Sequence, residues 1–284
     1  MLIIIGFVIV FVSSMGGFVL AGGNPMVLLH LSEFVIIGGV SLGILIISTP
    51  QKVLMKLMSE IIGAFSGGGV KKKDIEELFK VLYELFMLGR RNGLLALDEH
   101  ISDLKGSTIF GKYPGFLKDE QKAQFLVNSL RPVIDGKIKP EQLADVINKE
   151  IHAMEEEAHE PISVMVLVGD SLPGVGIVAA VLGIINTMGS ISAGPDAVGY
   201  KVAAALTGTF LGIFAAYGFI NPLGRNLEFR MATEMAYYKA MSGSVVGFTK
   251  GLAPLMALEI ARRGLPEELK LDAEGMEESL KEIK

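Results

Sequence analysis

Charge falls in blocks along this chain, and that constrains the fold more than any other feature. Residues 1–32 contain no Asp, Glu, Lys or Arg, and neither do 34–51, 171–195 or 202–224. Yet 20% of the 284 residues are charged and 50% are hydrophobic, so apolar and charged residues are segregated. A helix rises about 1.5 Å per residue, so roughly 20 apolar residues cross the ~30 Å hydrocarbon core of a bilayer. Four segments reach that length, at about 2–21, 34–50, 165–190 and 202–224. The second is short between Glu33 and Lys52 and also suits a buried or re-entrant helix. The first lacks the basic flank of a cleaved secretion signal and is expected to be a retained span.

Lys and Arg give the topology. None occurs between the first two spans, and none occurs between the last two before Lys201. The others lie in 51–160 and 225–284. Positive charge stays cytoplasmic, so both termini are expected at that face and the two short loops outside it. The expected fold class is all-α, an integral membrane protein with four transmembrane helices and a helical cytoplasmic region. The expected division is 1–50 for the first two spans and 51–160 for a helical cytoplasmic domain. Spans three and four then occupy 161–224, and 225–284 form a cytoplasmic helical tail.

Residues 51–160 read as helical throughout. Ser66 to Gly69 break the chain, and Asp74 is expected to cap a helix with Glu77 as its capping-box partner. Ile75, Leu78, Phe79, Leu82, Leu85 and Phe86 then recur at helical spacing. Arg90 and Arg91 fall in the last turn, and Gly93 suits the C-terminal cap. Further helices are expected over 95–104, 117–135 and 140–160, with a loop at Pro114 and Gly115. The tail continues span four as an amphipathic helix interrupted at Pro254 and Gly264, and 265–284 are expected to be partly frayed.

Several chemistries are excluded. There is no cysteine, so there are no disulfides, thiolate sites or Cys nucleophiles. The net charge of −5 gives no reason to expect nucleic-acid binding. His152 and His159 share a helix face, which suits a solvated surface or a metal pair, and no metal or other cofactor site is expected. Gly67-Gly68-Gly69 lacks the ending of a phosphate loop. No catalytic constellation is present, so no enzyme is expected. The spans hold no acidic residue deep in the hydrocarbon: Asp170 is placed near the cytoplasmic end of span three and Glu33 at the outer end of span two. Proton-coupled machines normally need an ionisable group in the membrane, so a partner would have to supply it.

Spans three and four carry the specific signal. Gly176, Ala180 and Gly183 recur along span three, and Gly208, Gly212, Ala215 and Ala216 along span four. Small residues at this spacing serve close helix packing or line a narrow path. Thr207 and Thr209 can bond back to a carbonyl or face that path. Pro173 and Pro222 lie near the cytoplasmic ends of their spans, where each frees a carbonyl and can hinge its helix.

At these residues the chain resembles the MotA family of flagellar-motor stator subunits. The blocks GDSLPGVGIVAAVLG (169–183) and GTFLGIFAAYGFINPL (208–223) carry the resemblance, together with four spans and the long region after span two. It implies a subunit of the bacterial inner membrane that couples ion flow to torque. It implies a homo-oligomer of five copies in lipid, around a MotB-like partner bearing an intramembrane Asp, acting on the rotor protein FliG. The implied ion-path residues are Ala180 and Thr209, the coupling residues Pro173 and Pro222, and the rotor-binding residues Arg90, Arg91, Asp98 and Glu99. An ExbB/TolQ-like energiser of an outer-membrane process is the alternative. Sodium-driven relatives carry Thr at the positions of Ala180 and Gly208. Here neither residue offers a side-chain oxygen, so protons are expected as the coupling ion.

Overall fold

The computed structural model describes residues 2–189, 192 and 194–283. Among them there is no strand. The helices are α1 (Leu2–Leu20), α2 (Leu31–Ser48), α3 (Gln51–Phe65), α4 (Lys72–Asn92), α5 (Asp98–Ser102) and α6 (Pro114–Leu117). They continue with α7 (Glu120–Ile134), α8 (Pro140–Met188), α9 (Pro195–Ala215), α10 (Asn221–Thr249), α11 (Pro254–Arg263) and α12 (Ala273–Lys281). A five-residue π turn, Ala216–Ile220, joins α9 to α10. Part of the expected loop between spans three and four, residues 190, 191 and 193, lies outside the described residues. The chain forms two compact units, one of Met1–Gly68 with Ala158–Phe229 and one of Gly69–Glu157 with Arg230–Lys284.

In the first unit, hydropathy and burial run opposite to the order of a water-soluble fold. The most hydropathic helix, α1, has a mean hydropathy of 2.6 and no buried residue. Leu20 is 90% exposed. Water would make such a surface unstable, whereas hydrocarbon solvates it while each helix satisfies its own backbone. Four helices are long and apolar enough to cross a membrane, those containing Leu2–Leu20, Leu31–Ser48, Pro140–Met188 and Pro195–Thr249. The third is a single 49-residue helix. The helix expected over 140–160 and the third span are therefore one element, started by Pro140 at its first position, where a missing N–H costs nothing.

Side chains of α2 and α8 and the π turn form the core of this unit, through Ile37, Leu172, Val175, Ala179 and Ala216. On α1, Phe7 wedges edge-on between Phe65 and Phe219, at centroid distances of 5.9 and 5.0 Å. Span two begins at Leu31 rather than at 34, which brings Glu33 into the first helical turn.

The second unit has a conventional core. Ile75, Leu78, Phe79, Leu82, Leu85 and Phe86 are all buried, as the spacing predicts, and Phe86 stacks on Phe248 at 4.2 Å. Asp74 lies at the third helical position of α4, not at the cap, because its carboxylate accepts from the Lys71 N–H at 2.7 Å. Glu77 is taken elsewhere, accepting from the Phe116 N–H at 3.2 Å. The 95–104 segment splits into a 3-10 turn, Leu94–Leu97, and the short α5. Pro114 starts α6 rather than marking a loop.

The tail departs furthest from expectation. It folds as α12, capped by Asp272, whose carboxylate accepts from the Gly275 N–H at 2.9 Å. Met276 and Leu280 are buried, and the helix lies against α4. Those two apolar anchors outweigh the acidic composition that suggested fraying.

Candidate functional site

The centre of the first unit is the seam between α8 and α9, and glycine decides how close the seam can be. A Cβ on Gly212 would lie 2.6 Å from the Leu172 carbonyl oxygen and 2.8 Å from Gly176 Cα. A Cβ on Gly176 would lie 2.8 Å from the Gly208 carbonyl oxygen, and one on Gly183 would lie 2.8 Å from Ala205 Cβ. These neighbours are backbone atoms or an alanine Cβ, which no rotamer can move. The small-residue stripe is therefore a packing surface first, which narrows the two readings the spacing left open.

Ala180 lies on this seam, and Thr209 is the residue after Gly208. Ala180 is 8% exposed, and its backbone nitrogen is 3.3 Å from the Cβ position of Gly208, the residue before Thr209. Thr209 is half-buried, whereas Thr207 is buried and its hydroxyl donates to the Ala203 carbonyl at 3.0 Å. Thr207 has thus taken the bonded-back alternative.

The two prolines are handled differently by their helices. Pro173 sits inside α8, just beyond Ser171, whose hydroxyl donates to the Leu167 carbonyl at 2.6 Å. Pro222 follows the π turn, in which the Asn221 N–H donates to the Ala216 carbonyl five residues back. The wider turn accommodates a proline ring that a regular helix would drive into the Gly218 carbonyl. Asn221 also donates to Asp170 at 3.4 Å, so α8 and α10 are tied within three residues of Pro173 and one of Pro222.

In the second unit Arg90 and Arg91 end α4 on an exposed surface, with Gly93 at φ +84° completing the turn. Neither arginine has an ion-pair partner among the described residues. Asp98 and Glu99 open α5 beyond the 3-10 turn, with Leu95 of that turn 76% exposed between the pairs. Glu99 is exposed, but Asp98 is engaged: it accepts from Ser102 at 3.0 Å and lies 3.5 Å from an Arg131 nitrogen. That contact spans 33 residues and no local spacing reveals it.

One residue has a different place from the one its sequence position suggests. Glu33 is 3% exposed, with one carboxylate oxygen against Gly208. Gly208 lies six residues into the charge-free stretch that begins at Val202, about 9 Å along the helix. Its position in the sequence puts Glu33 at the outer end of span two, and the first turn of α2 points its side chain inward beside Ile37 rather than away from the helices. The signal available was the four-residue spacing of Glu33 and Ile37, which puts both on one helix face.

Comparison with known proteins decides the family. Residues 4–93 match the motility protein A N-terminal family, and residues 117–240 match the MotA/TolQ/ExbB proton channel family. Motility protein A of Salmonella typhimurium is 34% identical over 93% of this chain and 90% of its own length. The chain belongs to the motility protein A family. Two solved structures of family members have its fold. The C. jejuni MotAB structure matches with a TM-score of 0.77 at 25% identity, covering 94% of this chain and 96% of that one. The flagellar MotAB stator complex of Bacillus subtilis matches with a TM-score of 0.75 at 25% identity, covering 99% of each chain. As a member of that family, the chain is an inner-membrane stator subunit of the flagellar motor.

Proposed function

We propose that this stator subunit is driven by protons, with a MotB-like single-span partner supplying an intramembrane Asp. Side-chain oxygen is scarce at the α8–α9 seam, where α2 adds a single Glu33 carboxylate, and that scarcity carries the proton reading. Ala180 and Gly208 have none, and the Thr207 hydroxyl is committed to a backbone carbonyl at 3.0 Å. Thr209 is left to relay a proton beside the partner carboxylate. A sodium ion shedding its water needs several oxygens at once, whereas a proton needs a titratable group and a polar neighbour. The test is swimming speed driven by this chain with its own partner, with external sodium varied at constant proton-motive force. Speed independent of sodium is expected, and speed that vanishes without sodium overturns the reading.

In the same proposal both termini are cytoplasmic, and five copies in the lipid bilayer surround the partner. The C. jejuni and B. subtilis relatives are MotAB complexes, which supports the partner and an oligomer. Residues 4–93 match a motility-specific family, which weighs against an ExbB/TolQ-like energiser.

The proposed contact with the rotor protein FliG uses Arg90, Arg91, Asp98 and Glu99. The two arginines are exposed without an ion-pair partner among the described residues, while Asp98 is shared with Arg131, so the arginines carry more of the docking. Exposed ion pairs contribute only ~0.2–1 kcal/mol each. Reversal does more than deletion, because juxtaposed like charges cost several kcal/mol. The double variant Arg90→Glu, Arg91→Glu is expected to assemble normally and lose most swimming on soft agar. A complementary charge change on the rotor should restore motility. Unchanged swimming removes both residues from the interface.

A further inference from the structure

Among the described residues, Glu33 combines three properties that the packing of a stator subunit does not require. It is an acidic side chain in the first turn of a membrane span, it is 3% exposed, and its Oε2 has no hydrogen-bond partner. Only its Oε1 is engaged, accepting from Ser32 at 3.3 Å. Oε2 occupies the space left by the missing side chain of Gly208, 2.8 Å from where a Cβ would stand. Buried polar oxygens are almost always paired, and one left open on a carboxyl group has room for one thing without rearrangement, a hydrogen.

A second orphan lies beside it. His30, at the N-terminal cap of α2, has a buried Nε2 without a partner, and its ring meets Tyr200 of α9 edge-on at 5.4 Å. Tyr200 and Gly208 are eight residues apart on α9, about 12 Å along the axis. The first turn of α2 therefore holds two titratable groups against α9 at two depths, one near the helix start and one inside the charge-free stretch. The other titratable groups on α9 are Asp196, in its first turn, and Lys201, whose ammonium reaches Asn186 of α8 at 3.3 Å. The described residues of α8 from Ser171 to Met188 contribute no titratable group.

We propose that Glu33 is a proton-binding site of this chain's own, backing Gly208 on the ion path, in addition to any carboxylate a partner supplies. Its Oε2 takes up one proton to give the neutral acid and returns it to give the carboxylate, with no other bond made or broken. Gly208 is the residue that leaves room for it. This inference rests on the proton-coupled reading above.

The test uses the full stator complex in liposomes. Glu33→Gln keeps the shape and the hydrogen bond to Ser32 but cannot exchange a proton. It is expected to leave assembly intact and lower proton flux about tenfold, below the usual effect of a positioned proton-transfer group. Infrared difference spectra, followed across the pH range in which the complex stays assembled, should lose one protonated-carboxyl band in Glu33→Gln. Wild-type flux in Glu33→Gln overturns the proposal, and so does a spectrum in which no carboxyl band is lost at any pH. Failure of the proton reading itself would show separately, as sodium-dependent speed in the unmodified complex.

Discussion

Gly212→Val is expected to leave no stable subunit in the membrane. Even the first added carbon would stand 2.6 Å from the Leu172 carbonyl oxygen and 2.8 Å from Gly176 Cα. Both are backbone atoms of α8, so relief requires the helices to separate. Overpacking costs typically 1–3 kcal/mol where side chains can yield, and about 3 kcal/mol or more is expected where only backbone can. Separation would also strip the contacts that hold Leu172, Val175 and Ala179 in the core. Gly174→Ala is the control. Nothing lies within 4 Å of a Cβ there, so the change should be neutral or stabilise the helix by roughly 0.5–1 kcal/mol. Membrane abundance and protease resistance of the detergent-solubilised protein are the measurements. Normal levels of Gly212→Val would mean that the seam is looser than its geometry.

Pro222→Ala should give the opposite pattern, a sounder helix and a poorer motor. Alanine restores an N–H able to bond the Gly218 carbonyl, and a proline-to-alanine change in a helix interior is worth about 3 kcal/mol. The π turn over Ala216–Ile220 would then lose its cause. Closing it to a regular helix removes one residue's excess and turns the following residues by about 100°. Phe219, which holds Phe7 of α1, and Asn221, which donates to Asp170, both lie in or beside that turn. The expected result is a membrane-inserted, assembled complex with torque reduced severalfold. Pro173→Ala should likewise assemble with impaired rotation, because it returns a hydrogen bond to α8 at the same level. Full torque from both variants would reduce the prolines to packing details. A complex that failed to assemble would instead make the π turn a folding requirement.

The spans, the core of α4 and the helix breaks were legible because each rests on local physics. A charge-free run long enough to cross hydrocarbon, apolar residues at helical spacing, and Gly93 at φ +84° all act within a few turns of chain. The same locality limited the reading. Asp98, which the resemblance implies as a rotor-binding residue, is met by Arg131 from 33 residues away. Residues 265–284 looked frayed because composition cannot register that Met276 and Leu280 meet α4.

Glu33 marks the boundary between the two kinds of information. From sequence it is a charge at the edge of an apolar block, and such a residue can turn to water or inward at equal local cost. Its direction was set by α9, whose Gly208 leaves a gap the size of one carboxyl oxygen, and by Ile37, which commits that face of α2 to the core. Sequence alone determined that four segments are long and apolar enough to cross a membrane and that the chain resembles the stator family, because hydropathy and long motifs are properties of contiguous residues. Only the tertiary structure decided which oxygens are spent on backbone carbonyls, which are left open and what stands beside them, because those depend on pairs of residues that the chain brings together from far apart.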